Sequence, residues 1–161
     1  MTSPSVLTAV TVIWAATAAF WDLRTQKIPN WLTLPAVLLG LVLNAAIGGP
    51  SGLRASALGT VTGVALLFVP FAMGGMGAGD VKMLAAVGSL AGPAFVFRTF
   101  LYGSITGGLI ALAVIFGRSY LLRGMKLGPA PIDGGIRSRA KQVFPYGVAI
   151  LAGVVAAYVV R

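Results

Sequence analysis

The chain has 161 residues, of which 58% are hydrophobic and only 9% charged, and it carries a formal net charge of +9 with a mean hydropathy of +0.95. A soluble domain of this size has about a quarter of its residues charged, so there are too few charges to cover a water-facing surface and the chain reads as membrane-embedded. It has no cysteine and no histidine, which excludes disulfides, thiolate catalysis, Ser-His triads and most zinc chemistry.

Apolar runs punctuated by Gly, Pro and charge predict about six short transmembrane helices, an all-α bundle forming one polytopic domain over residues 1–161. Met1 to Thr8 lacks the positive charges of a signal peptide, so the first helix, about Ser5 to Trp21, is expected to be a retained span. Asp22 stands at its end. Pro29 and Asn30 then punctuate the entry to a second helix, about Trp31 to Ile47, with Asn30 as its expected N-cap. A third helix covers about Ala55 to Met73. The glycine-rich stretch Gly74-Gly75-Met76-Gly77-Ala78-Gly79 leads into a fourth, about Asp80 to Leu90. Asp80 is expected in its cap or first turn, where the helix dipole favours negative charge. Gly77 and Gly79 are expected to let the backbone turn tightly and approach a substrate chain. Gly92-Pro93 breaks the chain before a fifth helix, about Phe95 to Phe116. A basic loop over 118–141 precedes the sixth, about Phe144 to Val160.

Nine bases fall on one predicted side: Arg24, Lys27, Lys82, Arg118, Arg123, Lys126, Arg137, Arg139 and Lys141. Three fall on the other: Arg54, Arg98 and Arg161. This asymmetry puts the basic side in the cytoplasm and both termini outside it. The basic loop reads first as a topology signal and an attraction for anionic lipid headgroups, with steering of a substrate as its second reading. Trp21, Trp31 and Tyr146 fall at the predicted interface, where aromatic belts form. Small-residue pairs four apart (Gly59 and Gly63, Gly88 and Gly92, Gly103 and Gly107) allow close helix approach.

Only three acids exist in the chain: Asp22, Asp80 and Asp133. A carboxylate against an apolar helix at a membrane is costly and asks for a reason. One reason is an interfacial anchor, pairing Asp22 with Arg24 or Asp80 with Lys82. The other is a dyad: of two facing carboxylates one holds a proton while the other accepts one from water, as aspartic peptide hydrolysis requires. Lys82 then reads either as a snorkelling chain or as electrostatic support for the pair. Asp133, in Pro129-Ala130-Pro131-Ile132-Asp133-Gly134-Gly135, reads as a turn former rather than a catalyst.

At these residues the chain resembles the type IV prepilin peptidases, aspartic proteases of the GxGD kind. Asp22 through Asn30, an Asp followed six residues later by Ile-Pro-Asn, looks like the first catalytic segment. Gly77-Ala78-Gly79-Asp80-Val81-Lys82 and the small-residue helix after it look like the second, and Phe144-Pro145-Tyr146-Gly147 is similar to the Pro-Tyr-Gly stretch opening the last helix. The resemblance implies Asp22 and Asp80 as the catalytic pair, with no cofactor and no metal. It implies removal of the leader from pilin-like precursors after a glycine, at the cytoplasmic face of the inner membrane. No nucleic-acid partner is implied. The larger members' cysteine-rich zinc region has no counterpart here, so methyl transfer is not expected; the short form looks most like the peptidases of tight-adherence (Flp-pilus) systems. The residues alone leave two alternatives open, a small transporter or channel using Asp22 and Asp80 as ion ligands, and a presenilin-like intramembrane protease.

Overall fold

A computed structural model of the chain describes residues 4–25, 28–124 and 146–160, and among them every regular element is helical. In chain order these are α1 (Pro4–Thr25), α2 (Asn30–Ala72), α3 (Ala78–Ala91), α4 (Pro93–Gly124) and α5 (Tyr146–Val159). Three stretches are long and apolar enough to cross a membrane: Val6–Thr25, Asn30–Ala72 and Pro93–Ala113.

α2 is not one rod. Gly49 takes φ 59° and ψ −146° inside it, a backbone conformation that only glycine enters cheaply, and Pro50 follows without an N–H to continue the ladder. The chain doubles back there. Along the arm 30–48 the contacts with α3 rise together, from Asn30 at Lys82 to Asn44 at Leu90. Along the arm 50–72 they run the other way, with Ser56 at Ser89 and Gly63 at Leu84. The two arms correspond to the second and third predicted helices, separated by a one-glycine hinge instead of a seven-residue loop.

α3 lies among the others, every side chain from Met83 to Leu90 buried. Its 14 residues rise about 21 Å, short of the roughly 30 Å of a hydrocarbon core. Its last carbonyls therefore end among protein rather than in water, and orphan carbonyls there are expensive. Side chains of α2 satisfy them: Asn44 Nδ2 donates to the carbonyls of Ser89 (3.0 Å) and Leu90 (3.2 Å), and Ser56 Oγ donates to Ser89 at 2.6 Å. Ser89 Oγ in turn donates to the Val37 carbonyl at 3.1 Å.

The packing puts small residues inside and large ones outside. Ala15, Ala18, Gly59, Gly63 and Gly88 are buried, whereas Ile13, Leu38, Val42, Val61 and Leu109 are exposed, the pattern of helices that meet one another through backbone and meet lipid through side chains. A side chain at Gly59 would occupy the Gly88 carbonyl, and one at Gly88 the Gly59 carbonyl. The predicted small pairs thus serve α2 against α3, and a Cβ at Gly103 would lie 3.0 Å from the Ala149 carbonyl between α4 and α5.

Local boundaries differ from expectation in three places. α1 runs a full turn beyond Trp21, so Asp22 is within the helix. The N-cap of α2 is Pro29, extended at φ −72° and ψ 150°, and Asn30 is already helical. α4 begins at Pro93 and its backbone continues helically to Gly124, into the start of the basic stretch. The remainder of that stretch, Asp133 and Phe144-Pro145 lie outside the described residues.

Candidate active site

Asp22 and Asp80 come from different helices and meet at one end of the bundle. Asp22, in the last turn of α1, is only 4% exposed, and Asp80, the third residue of α3, 5%. The two carboxylates are near enough for their charges to act on each other.

Each is held by a backbone N–H at the start of a helix. Gly147, the second residue of α5, donates to Asp22 Oδ2 at 3.1 Å. Gly77 donates to Asp80 Oδ2 at 3.3 Å, while the Asp80 N–H returns a bond to the Gly77 carbonyl at 3.2 Å. A third-position carboxylate reaching back to the N-cap N–H is half of a capping box; glycine has no side chain to supply the other half. Both arrangements use a helix N-terminus, where unpaired N–H groups and the dipole attract negative charge.

The Ile28-Pro29 segment brings the two acids together. Ile28 is buried against the first turn of α3, and a Cβ at Gly79 would lie 3.2 Å from both its Cβ and its backbone nitrogen. A side chain at Gly79 would therefore press on Ile28, which would have to give by a few tenths of an ångström. Neither Gly79 nor Gly77 has a positive φ; Gly77 sits at φ −78°, and the turn into α3 is made earlier, at Gly74 (φ 75°). Gly79 thus serves close approach to Ile28, while a Cβ at Gly77 would meet Asp80 Oδ2 at 3.3 Å. Two aromatic contacts fix α1 against the entry to α2: Trp14 Nε1 donates to the Leu32 carbonyl at 3.2 Å, and Trp21 and Trp31 pack edge to face at 5.3 Å.

The described cations near this end, Lys82 and Arg24, are engaged elsewhere. Lys82 Nζ donates to Asn30 Oδ1 at 2.7 Å, and the Arg24 guanidinium lies 4.7 Å from the centre of the Phe20 ring. Among the described residues neither carboxylate has an ionic partner, so the anchoring pairs Asp22–Arg24 and Asp80–Lys82 do not form. Two buried carboxylates with one N–H each and no counter-cation cannot both ionise cheaply, and sharing a proton relieves the conflict. Such a pair can give and take protons at one place. Among the described residues no three side chains of metal-ligating type converge.

Gly147 is the site residue whose part the sequence did not reveal. A side chain there would place Cβ 2.8 Å from Asp22 Oδ2, so glycine is required for Asp22 to reach the N–H. Its only signal in the sequence was a place in the Pro-Tyr-Gly string, which says nothing about which acid it meets.

Comparison with known proteins bears on the same stretch. The model of the type IV leader peptidase family matches residues 9–112, which include both Asp22 and Asp80. The chain is similar to the prepilin leader peptidase/N-methyltransferase of Neisseria gonorrhoeae, 33% identical over 118 residues (69% of this chain and 40% of that protein). It is also similar to the proteins of the same name from Aeromonas hydrophila, 30% over 122 residues (71% and 42%), and Burkholderia pseudomallei strain 1026b, 30% over 122 residues (71% and 39%). The chain thus spans about two fifths of the length of the curated relatives it matches. No solved structure matches it.

Proposed function

The chain belongs to the type IV leader peptidase family, and from that premise we propose that it is a membrane aspartic endopeptidase that removes the leader of pilin-like precursors, with Asp22 and Asp80 as the catalytic pair. The observation that carries this reading is the burial of two carboxylates at one end of the bundle, each on a helix N-terminal N–H and, among the described residues, neither paired with a cation.

The mechanism follows from that arrangement. One carboxylate takes a proton from a water placed between the pair, and the water oxygen adds to the carbonyl carbon of the scissile bond. The other aspartic acid gives its proton to the carbonyl oxygen. Collapse of the tetrahedral adduct breaks the C–N bond as the leaving amine takes a proton, and the pair ends with the single proton it began with. The Gly77 and Gly147 N–H groups keep the carboxylates oriented, and the surrounding helices hold them out of bulk water.

The finer reading is as follows. The chain is one polytopic domain of six spans, the arms 30–48 and 50–72 counting separately. Arg24 and Lys82 lie at the aspartate end and Arg54 and Arg98 lie away from it; with the charge asymmetry of the sequence, this supports an active site at the cytoplasmic face of the inner membrane. The substrate is a Flp-type precursor cut after a glycine, and the proposal covers leader removal, not the methyl transfer in the relatives' double name. No cofactor enters the mechanism.

Cleavage of a purified Flp-type precursor in detergent tests the assignment. Asp22→Asn and Asp80→Asn should each abolish the cut while the protein still inserts and folds; full processing by either variant would sink it. Because the chain has no cysteine, single cysteines introduced at Gln26 and Gly128 test the orientation, with labelling expected from the cytoplasmic side only.

A further inference from the structure

The end of the bundle away from the aspartates holds a cavity of about 240 Å³. It lies at the start of α1, where Leu7 is fifteen residues and about 22 Å of helix from Asp22. Five helices contribute to it, and its lining is of two kinds. Leu7, Leu90 and Phe95 make an apolar wall; Arg98 of α4 and Tyr158 of α5 add a guanidinium and a phenol. Among the described residues neither of these has a hydrogen-bonding or ionic partner, although the Tyr158 ring packs on Phe95 at 4.3 Å.

The charge count sharpens the question. The chain has three acids, and the two described ones are at the opposite end of the bundle. The cavity therefore joins a guanidinium and a phenol, each without a hydrogen-bonding or ionic partner among the described residues, to an apolar wall at the end of a membrane bundle. Arg98 is exposed and Tyr158 half-buried, and both line the same cavity, which an arginine that merely snorkels to the interface does not require.

We propose that this cavity holds the phosphate-bearing headgroup of an anionic membrane lipid, with Arg98 and Tyr158 as donors to the phosphate and the Leu7–Leu90–Phe95 wall against the start of an acyl chain. A guanidinium suits phosphate because it is permanently charged and presents several N–H groups in one plane. The apolar wall selects a lipid over free phosphate, which has nothing to place there. A lipid so bound bridges α1, α3, α4 and α5 where they converge, and stabilises the folded bundle by binding it in preference to the unfolded chain.

The test is thermal unfolding of the full chain, delipidated in a neutral detergent and followed by tryptophan fluorescence. The titrants are phosphatidylglycerol and phosphatidylcholine in mixed micelles, and inorganic phosphate alone. A saturable rise in Tm is expected with phosphatidylglycerol only. Arg98→Gln should raise the midpoint of that titration at least about five-fold, the weight of one base at a charged lipid surface. Arg54→Gln, at a base that does not line the cavity, should leave it unchanged. If Arg98→Gln does not fold, Tyr158→Phe keeps the ring contact and should still weaken the midpoint. Equal stabilisation by phosphatidylcholine, a response to inorganic phosphate alone, or an unshifted midpoint in the variant that folds would overturn the proposal. Leader cleavage forms no part of this readout, so the result stands apart from the assignment of Asp22 and Asp80.

Discussion

The two ends of α3 meet the same physical demand with different chemistry. At its start, Asp80 takes up the Gly77 N–H, and Asp22 beside it takes up the N–H of Gly147 at the start of α5. At its finish, Asn44 and Ser56 donate to the carbonyls of Ser89 and Leu90. Both ends satisfy backbone groups that a helix terminus leaves without partners. The finish does so with neutral groups, at low desolvation cost. The start uses two carboxylates where neutral acceptors would cap as well. Carboxylates where neutral acceptors would serve the fold are what the proposed catalytic pair requires.

The largest effect expected from breaking this contrast is at the acids. Asp80→Asn and Asp22→Asn keep an acceptor oxygen for the Gly77 and Gly147 N–H groups, so the fold should hold. Cleavage should fall by at least about 10³-fold, since a carboxamide can neither take a proton from water nor give one back. Precursor processing measured beside thermal unfolding separates these two consequences.

Gly147→Ala is the next largest. Its Cβ falls 2.8 Å from Asp22 Oδ2, so Asp22 must move without losing its charge. A loss of about 10²-fold in kcat is expected for a displacement of that size, with KM nearly unchanged. A parallel rise in KM would point to a role in seating the precursor instead of in holding Asp22.

At the neutral end the effects should reverse. Asn44→Ala strips the Leu90 carbonyl of its side-chain donor and should cost about 1–3 kcal/mol of stability, the price of a buried unsatisfied group. Cleavage by the protein that remains folded should be unaffected. The smallest change is expected at Lys82, whose ammonium is exposed and bonded to Asn30. Lys82→Met should alter the cleavage rate by no more than about two-fold, and a loss of tenfold or more would restore it as electrostatic support for the pair.

Much of the molecule was legible before any coordinates. Scarcity of charge gave the membrane, and Gly92-Pro93 gave the break after α3. The three acids, in a chain without His or Cys, narrowed the candidate catalysts to Asp22 and Asp80. Other features escaped. The hinge in α2 was read as a loop between Ile47 and Ala55 because a single glycine at φ 59° leaves no compositional mark beyond Gly-Gly-Pro. Asn30 was read as a cap, since Asn before an apolar run is a common N-terminal signal; the structure bonds its side chain to Lys82. Gly77 and Gly79 were read as making a tight turn near a substrate chain, whereas the turn is made at Gly74 and Gly79 lies close against Ile28.

These misses share one cause. Composition and local pattern report what a residue can do with its own neighbours in the chain, and they determined the class of the protein, its helices and its few acids. Which helices touch is set by backbone surfaces far apart in sequence. The meeting of Asp22 with Gly147, of Gly79 with Ile28, and of Asn44 with the end of α3 was therefore decided only by tertiary packing. In a bundle whose helices pack through small residues, side-chain pattern carries little record of the partner. The sequence named the two acids; the packing brought them to one end of the bundle and gave Asp22 its N–H.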